Sequence, residues 1–445
     1  MEFNSEIYAA HLAGMVKIPT VSDADPEKMD YDQFFRLHAY LEETWPLVHQ
    51  KMSREVIGRC GLLYHYEAKE RKQLPLMLIA HQDVVPVGDL SLWKYPPFSA
   101  EIDDNMIWGR GSTDSKCNIQ AYMDALEQLF SEGFEPAYDI YLGFGYNEEI
   151  MGGPEPAAQL IANTLKERGI ELGCLIDECG GVRETEDGRT YVQIFICEKG
   201  YADFKFTKRS SGGHSSTPTP HSALGDIAKV ACILEDHPMD PLLTEPVVQQ
   251  LQANVPFMKD AEMAALCTDV KANWEMLLPI MAADRTQNAL IRTTMALSMA
   301  KGSDQANILP EVAWIIVNNR LLPGQTLDDV MAHYKALVPE DVEIELVKGS
   351  NPPKVQSTDS TAYKIISETF AEMYPGVVMI PSVLAGGTDS RYYCDVCPTD
   401  SVYRVTGLKS NPRWGHAHQV NERIGIEALA DNVRFYVKLL QNYGK

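Results

Sequence analysis

The sequence predicts an α/β protein whose mostly parallel central sheet is interrupted by an inserted α+β domain. Several short apolar runs end abruptly in histidine or carboxylate residues, as buried strands of a parallel sheet do. Stretches with helical periodicity separate these runs, which is typical of βαβ connections. Near Lys199 the pattern changes to the alternation of half-exposed strands, and the first pattern resumes after Pro353. We therefore predict one discontinuous domain over 1–199 and 351–445, with residues 200–350 as the insert.

The N-terminal part of the first domain is predicted to begin with two helices and to continue with strands and helices in turn. Ser5 to Met52 has helical spacing on both sides of a turn, and the second helix is predicted over Tyr31 to His49. The elements that follow are strands at 61–66 and 76–80, a helix at 118–130, a strand within 138–147, a helix at 156–168 and a strand at 174–177.

The insert and the C-terminal part follow the same rules. The insert is predicted to contain strands at 201–207, 312–320 and 342–347, helices at 222–234 and 327–337, and a helical elaboration over 238–284. After it come a helix at 360–373, strands at 377–381 and 402–405, and a final helix with apolar residues on one stripe.

Composition and charge exclude several classes of partner. The 445 residues exceed what one core usually holds, which predicts two or three domains. The balance of 39 basic against 62 acidic residues argues against nucleic acid or an anionic membrane as a partner. No apolar run approaches the roughly 20 residues that cross a bilayer, and no signal peptide is visible. Nine scattered cysteines indicate reduced thiols, so we predict a cytoplasmic location.

The first strand end that carries chemistry is His81-Gln82-Asp83. Alternation puts His81 and Asp83 on the same side of the chain. An aspartate in that place can accept the free N–H of an imidazole whose other nitrogen holds a metal. Taken alone, the pair is equally well explained as a histidine and an aspartate in a surface loop.

Further strand ends carry side chains of the same kind. Asp114 follows a glycine-rich turn, Glu148 and Glu149 follow one apolar run, and Glu178 follows another, while His418 lies beyond the last strand. Two histidines with carboxylates suit zinc. His81, Asp114, Glu149, Glu178 and His418 are too many for one tetrahedral ion but suit two ions if Asp114 bridges them. Since adjacent glutamates cannot both face one ion without strain, one of Glu148 and Glu149 is expected to be a ligand and the other a general base.

A series of segments, all in the same order, resembles one family of enzymes. They read H-x-D-V-V-P-V, G-R-G-x-x-D-x-K, E-E-x-x-G-G, D-E, G-G-H-S-S-x-P, N-x-L-P, G-G-T-D-S-R and H-x-V-N-E. The chain is similar to the di-zinc carboxypeptidase, aminoacylase and deacylase metallopeptidases, including the acetylornithine and succinyl-diaminopimelate deacylases. It looks closest to the carboxypeptidase S-like branch, which includes Gly-Xaa carboxypeptidases and N-acyl-amino-acid hydrolases. The resemblance spans nearly the whole chain and implies a zinc-peptidase-like catalytic domain with a ferredoxin-like lid domain.

The resemblance also implies roles around the metal centre. His81 and Glu178 would hold one Zn²⁺, Glu149 and His418 the other, with Asp114 as the bridge; Co²⁺ or Mn²⁺ would fit the same ligands. Glu148 would be the general base and Asp83 would orient His81. His416 is an alternative to His418, although the spacing to Asn421-Glu422 favours His418. Cys179 and Cys117, beside the ligands, depart from the family's usual glycine and small residue.

The substrate-binding roles implied by the resemblance fall mostly in the insert. His214 would help to bind the oxyanion, and Arg320 and Asn307 would bind the substrate carboxylate, while Gly387 and Thr388 would lie near the substrate backbone. We therefore predict zinc-dependent hydrolysis of an amide bond next to a free carboxylate, as in carboxypeptidases and dipeptidases. The alternatives are an N-acyl-amino-acid hydrolase and a non-catalytic peptide-binding relative. The substrate would be a small peptide or an N-acyl amino acid, and a homodimer through the lid domain is a further expectation.

Overall fold

The computed structural model describes residues 2–150, 156–415 and 417–445. Its helices are α1 Ser5–Val16, α2 Tyr31–Thr44, α3 Pro46–Lys51, α4 Lys116–Ser131, α5 Ala157–Glu167, α6 Ala223–Asp236, α7 Glu245–Asn254, α8 Ala261–Cys267, α9 Trp274–Ala283, α10 Arg285–Leu290, α11 Leu327–Leu337, α12 Thr361–Met373 and α13 Ile426–Tyr443. Within these ranges, none of the helices combines the length and the apolar character needed to cross a membrane.

Among the described residues, the strands are mostly short and fall into four sheets. They are β1 Ser53–Ile57, β2 Gly61–Tyr66, β3 Leu76–His81, β4 Glu101–Asp103, β5 Met106–Trp108, β6 Ile140–Gly145, β7 Cys174–Asp177, β8 Gly181–Glu184, β9 Thr190–Glu198, β10 Gly200–Arg209, β11 Gly213–His214, β12 Thr294–Lys301, β13 Ile308–Leu309, β14 Val312–Leu321, β15 Glu343–Ser350, β16 Val378–Leu384, β17 Val402–Arg404 and β18 Arg423–Gly425.

The chain divides into two compact units. The first unit consists of Met1–Ile196, Gln356–Pro381 and Thr388–Lys445, and the second of Cys197–Val355 and Ser382–Gly387. These bounds lie within five residues of the ends predicted at 199 and 351. The short segment 382–387, which the sequence analysis gave to the first domain, belongs to the second unit.

The large sheet has the order β1-β2-β6-β3-β7-β17-β9-β16, with β8 paired to β9. Its centre is parallel: β3 pairs in parallel with both β6 and β7, and β7 pairs in parallel with β17. The flanking strands are antiparallel, with β2 paired to β6, β1 to β2, and β9 to β17. Strands β3 and β6 are buried along their whole length, which is why they read as continuous apolar runs. Because parallel strands end on one edge, His81 is opposite Gly145, and Asp177 is opposite Arg404 on that same edge.

Helices α1, α4 and α13 pack against one another in the first unit, and α4 also packs against β3. The predicted stripe on α13 is buried, and it includes Leu429, Val433 and Leu440. The prediction of one helix over Tyr31 to His49 was wrong. Helix α2 ends at Thr44 and α3 begins at Pro46, because proline lacks the N–H of a helix interior but suits a first turn.

The second unit has a ferredoxin-like arrangement. Its antiparallel sheet has the order β12-β14-β10-β15, and the chain runs β10-α6-β12-β14-α11-β15, with α7 to α10 inserted between α6 and β12. Buried Phe204, Phe206 and Tyr334 meet edge to face and join α11 to the sheet. The predicted α+β insert and its helical elaboration are therefore present.

Candidate metal centre

His81, the last residue of β3, is oriented by a short local hydrogen bond. Its Nδ1 donates to the backbone carbonyl of Asp83 at 2.9 Å. This leaves Nε2 facing Asp114 Oδ1 at 3.0 Å and Glu178 Oε2 at 3.5 Å. A buried imidazole held in this way offers one nitrogen of fixed direction to a cation.

Asp83 contributes to this edge of the sheet in two ways. Its carbonyl is the nearest acceptor to His81 Nδ1, whereas its carboxylate Oδ1 is 3.6 Å from that nitrogen. The carboxylate instead accepts the backbone N–H of Glu148 at 3.4 Å and that of Glu149 at 3.3 Å. Asp83 thus links the end of β3 to the turn that carries both glutamates.

Asp114 lies between the two predicted ligand histidines. Its Oδ1 faces His81 Nε2 at 3.0 Å, and its Oδ2 faces His418 Nε2 at 3.2 Å. His418 Nε2 also lies 2.7 Å from Glu149 Oε2. Burial alone would raise the pKa of Asp114. Hydrogen bonds to His418 and His81 outweigh this effect and hold the pKa well below its usual range. One oxygen towards each histidine is the arrangement that a bridging carboxylate requires.

Glu148 and Glu178 complete the cluster on the His81 side. In the parts of the chain that are described, two groups have ligand atoms that all lie within 4.8 Å of one another, namely His81, Asp114 and Glu149, and His81, Glu148 and Glu178. The contacts therefore bring together all five predicted ligands and the predicted base. The alternative ligand His416, and the Gly152-Gly153 part of the E-E-x-x-G-G segment, lie outside the described residues.

The charges of this cluster fit divalent cations. Burial raises the pKa of Glu178 to about 8, raises that of Glu149, and raises that of Glu148 well above its ordinary value. Carboxyls in such a place stay charged at neutral pH only when positive charge lies among them. Imidazole nitrogens and carboxylate oxygens are donors that zinc accepts, and that cobalt and manganese also accept. The residues present thus fit two cations that share Asp114.

Two further carboxylates position these ligands, and sequence reasoning gave them no role. Asp177 accepts the N–H of Glu178 at 2.8 Å and that of Ser390 at 3.0 Å. Glu422 is fully buried and accepts hydrogen bonds from the turn that carries Asp114. The only signal in the sequence was that each is close to a ligand, Asp177 before Glu178 and Glu422 four residues after His418.

The T-D-S-R segment lies beside Glu148 in the first unit. A small cavity is lined by Asn147, Glu148, Ile150, Thr388, Asp389, Arg391 and Tyr392. Thr388, predicted to lie near the substrate backbone, therefore shares a cavity with the predicted base. Arg391 Nε donates to the Thr388 carbonyl, and Asp389 Oδ2 is buried without a hydrogen-bond partner.

The remaining predicted residues belong to the second unit. His214, in β11, is exposed, and its Nδ1 accepts the backbone N–H of Ser216 at 3.1 Å. His214 is paired with Ile308 across β11–β13, and Asn307, just before β13, accepts the N–H of Ser215 through its carbonyl. Arg320 lies on β14 with its guanidinium over the Tyr201 ring at 4.9 Å. Gly387 is the last residue of segment 382–387. Their substrate-binding roles stay predictions.

The fold and the cluster together define a class of metal-dependent hydrolases. Residues 77–442 match the sequence profile of Peptidase family M20/M25/M40, and the chain belongs to this family. This match confirms the family that we predicted from motifs occurring in the same order along the chain. With it are confirmed the fold class and the class of enzyme, a metallopeptidase or amidohydrolase.

Individual relatives can be aligned with this chain over almost its entire length. A probable carboxypeptidase S-like protein of Dictyostelium discoideum is 30% identical over 450 residues, which cover 98% of this chain and 85% of that protein. An N-fatty-acyl-amino acid synthase/hydrolase of Bos taurus is 30% identical over 453 residues, covering 97% and 86%. The crystal structure of an M20 family metallo-carboxypeptidase from Sulfolobus solfataricus superposes with a TM-score of 0.72 at 20% identity, covering 98% and 99% of the two chains.

Proposed function

We propose that the protein hydrolyses an amide bond next to a free carboxylate, using two divalent cations, Zn²⁺ by preference, and Glu148 as general base. The observation that carries the proposal is the position of Asp114 between two histidines, each of which also faces a second carboxylate. His81 and Glu178 would hold one cation, and Glu149 and His418 the other. When bound, such cations polarise the scissile carbonyl and lower the pKa of water.

Glu148 is suited to carry a proton. It lies in one cluster with His81 and Glu178, and burial raises its pKa well above that of an ordinary glutamate. Its carboxylate takes a proton from the attacking water as the water oxygen bonds to the amide carbon. It then gives that proton to the leaving nitrogen as the C–N bond breaks. The backbone hydrogen bond to Asp83 holds Glu148 in place for both steps.

Substrate recognition is assigned to residues of the second unit together with Thr388. Arg320 and Asn307 would bind the substrate carboxylate, for which a guanidinium provides two parallel donors. His214 would stabilise the negative charge that develops on the carbonyl oxygen. Gly387 and Thr388 would bind the substrate backbone. His214 and Asn307 lie on adjoining segments, because the residue after His214 donates its N–H to the Asn307 carbonyl, and this supports the proposal that they act on one substrate.

The decisive experiment replaces Glu148 with glutamine, which keeps the shape and removes the base. We expect turnover to fall by about 10²-fold to 10⁴-fold while the metal content stays unchanged. Glu127→Gln is a matched control, because Glu127 also lies in the first unit but accepts the backbone N–H groups of Leu47 and Val48 instead. Normal hydrolysis by the Glu148 variant would refute the mechanism.

A second candidate substrate class is supported by the comparisons. The bovine N-fatty-acyl-amino acid synthase/hydrolase is as similar to this chain as the carboxypeptidase S-like relative, at 30% identity each. Both reactions release an amino acid, so dipeptides and N-acyl amino acids with the same released amino acid separate them. A higher kcat/KM for the dipeptides would support the carboxypeptidase or dipeptidase activity, and a higher value for the acyl compounds the alternative. Metal-loaded protein that is inert on both would indicate a non-catalytic peptide-binding relative.

The location and assembly of the protein are proposed on separate grounds. None of the nine cysteines, all of which lie in the described residues, is joined in a disulfide, which supports a reducing cytoplasm, and cell fractionation tests this. Strands β12 and β15 are the edges of the sheet in the second unit, and an edge strand can pair with a second copy. A homodimer through this unit predicts twice the chain mass in sedimentation equilibrium.

A further inference from the structure

A buried ion pair joins the two segments that carry Asp114 and His418. Arg110 Nη1 lies 2.7 Å from Glu422 Oε2, and the two residues are 2% and 0% exposed. Arg110 is four residues before Asp114, and Glu422 is four residues after His418. The pair therefore connects positions that are more than 300 residues apart in the chain.

The Glu422 carboxylate is surrounded by hydrogen-bond donors from the Asp114 segment. Its Oε2 accepts from Gly111 N at 3.1 Å as well as from Arg110. Its Oε1 accepts from Thr113 N at 2.8 Å, from Thr113 Oγ1 at 2.9 Å and from Asp114 N at 3.2 Å. The backbone on both sides of Ser112 is thus fixed by a residue from the other segment.

Arg110 makes the reciprocal connection. Its Nη1 donates to the Gln419 carbonyl at 3.2 Å, and its Nη2 reaches the carbonyls of His418 and Pro86 at 3.5 Å. Immediately beyond the pair, strands β5 and β18 are in antiparallel register with Arg423 opposite Trp108. Each segment therefore holds the other through one buried charged side chain.

We infer that Arg110 and Glu422, here called the Arg110–Glu422 clamp, are positioning residues that set the place of the cation between Asp114 and His418. The inference rests on the metal centre proposed above. The clamp residues bond to backbone groups of the segments that carry Asp114 and His418. They therefore fix where the two side chains meet, with Asp114 Oδ2 and His418 Nε2 3.2 Å apart.

The role requires a carboxylate at position 422. Both oxygens face N–H donors, so the NH₂ group of a glutamine meets backbone N–H groups in either orientation of its amide. Glu422→Gln therefore forces a donor against a donor and displaces the Asp114 segment, although the two side chains are nearly equal in size. Arg110→Lys keeps the charge but cannot match the several directed donors of the guanidinium.

Zinc affinity tests the clamp without reference to turnover. Chelator competition would measure both cation affinities in the wild type, Glu422→Gln and Arg110→Lys, together with thermal unfolding of the metal-free forms. We expect one of the two affinities to fall about 10-fold to 100-fold in each variant, with the other nearly unchanged. Asp124→Asn is the matched control, because Asp124 is a buried carboxylate of the same unit that accepts from Trp45 Nε1 and Gln120 Nε2.

Wild-type affinity for both cations in the two clamp variants would overturn the inference. An equal loss in Asp124→Asn would also overturn it, because the effect would then reflect general destabilisation. If Glu422→Gln does not fold, Thr113→Val, which removes one donor to Glu422 Oε1, and Arg110→Lys carry the same expectation. A wild type that binds fewer than two cations overturns both this inference and the proposed centre, whereas a fully loaded wild type that cleaves no amide overturns only the proposed activity.

Discussion

Raising the pH should strengthen metal binding steeply, because the metal-free centre holds protons that the cations must displace. Burial raises the pKa of Glu178 to about 8. Hydrogen bonds to Asp114 and Glu149 raise the pKa of His418 to about 10. Both groups are therefore mainly protonated at pH 7 in the metal-free protein. Since metals bind the deprotonated forms, occupation of the centre releases both protons.

The magnitude follows from the number of protons released. Each displaced proton changes the affinity tenfold per pH unit, or by about 1.4 kcal/mol, so the protons of Glu178 and His418 alone change the combined affinity about 100-fold per unit below pH 8. The metal-free fold responds in the opposite direction. The folded-state pKa of each group exceeds its ordinary value, 4.5 for Glu178 and 6.5 for His418. Glu178 therefore makes the metal-free protein less stable as the pH rises from 4.5 to about 8, and His418 does so as the pH rises from 6.5 to about 10.

Calorimetric titration with chelator-buffered zinc measures this effect. Runs at pH 6.5 and 7.5, each in two buffers of different ionisation enthalpy, give the affinity and the number of protons released. We expect at least two protons released, and a zinc-induced rise in melting temperature that is larger at pH 7.5 than at pH 6.5. A pH-independent affinity without proton release would show that Glu178 and His418 are not protonated in the metal-free protein.

Three further substitutions test other parts of the structure. Asp83→Asn removes the carboxylate that accepts the N–H groups of Glu148 and Glu149, so kcat of the metal-loaded variant should fall about 10-fold to 100-fold in steady-state assays. Burial lowers the pKa of Lys199 from its ordinary value of 10.5 to about 7, so between these two pH values the folded state binds fewer protons than the unfolded chain. The stability of the wild type relative to Lys199→Met in urea should therefore rise by about 1.4 kcal/mol per pH unit between pH 7 and 10. Gly407→Ala places a Cβ 2.4 Å from Phe435 Cβ, and thermal unfolding should show a loss of about 1–3 kcal/mol.

Much of the fold could be predicted because its strongest signals are local. The central strands β3 and β6 are buried along their length and read as apolar runs, and α13 shows its buried stripe in the sequence. The small sheet of β4, β5 and β18 could not be predicted. Each of its strands has three residues, too few for a period, and β18 finds β5 across more than 300 residues.

The side chains of the metal cluster could be located because each ends a recognisable segment, and the order of these segments identified the family; their roles as ligands stay predictions. The hydrogen bonds that hold these side chains in place could not be predicted. The bonds that give Glu422 its place are made to backbone N–H groups of 111–114, and backbone donors have no signature in the residue letters. In the same way, the Asp83 carbonyl rather than its carboxylate is nearest to His81 Nδ1, a distinction that only coordinates reveal.

The central claim is that two cations share Asp114. Anomalous X-ray diffraction at the zinc edge, on crystals grown with Zn²⁺, tests it most directly. We expect two peaks, one on each side of the Asp114 carboxylate, the first beside His81 and Glu178 and the second beside His418 and Glu149. A single peak, or two peaks that do not share Asp114, would contradict it.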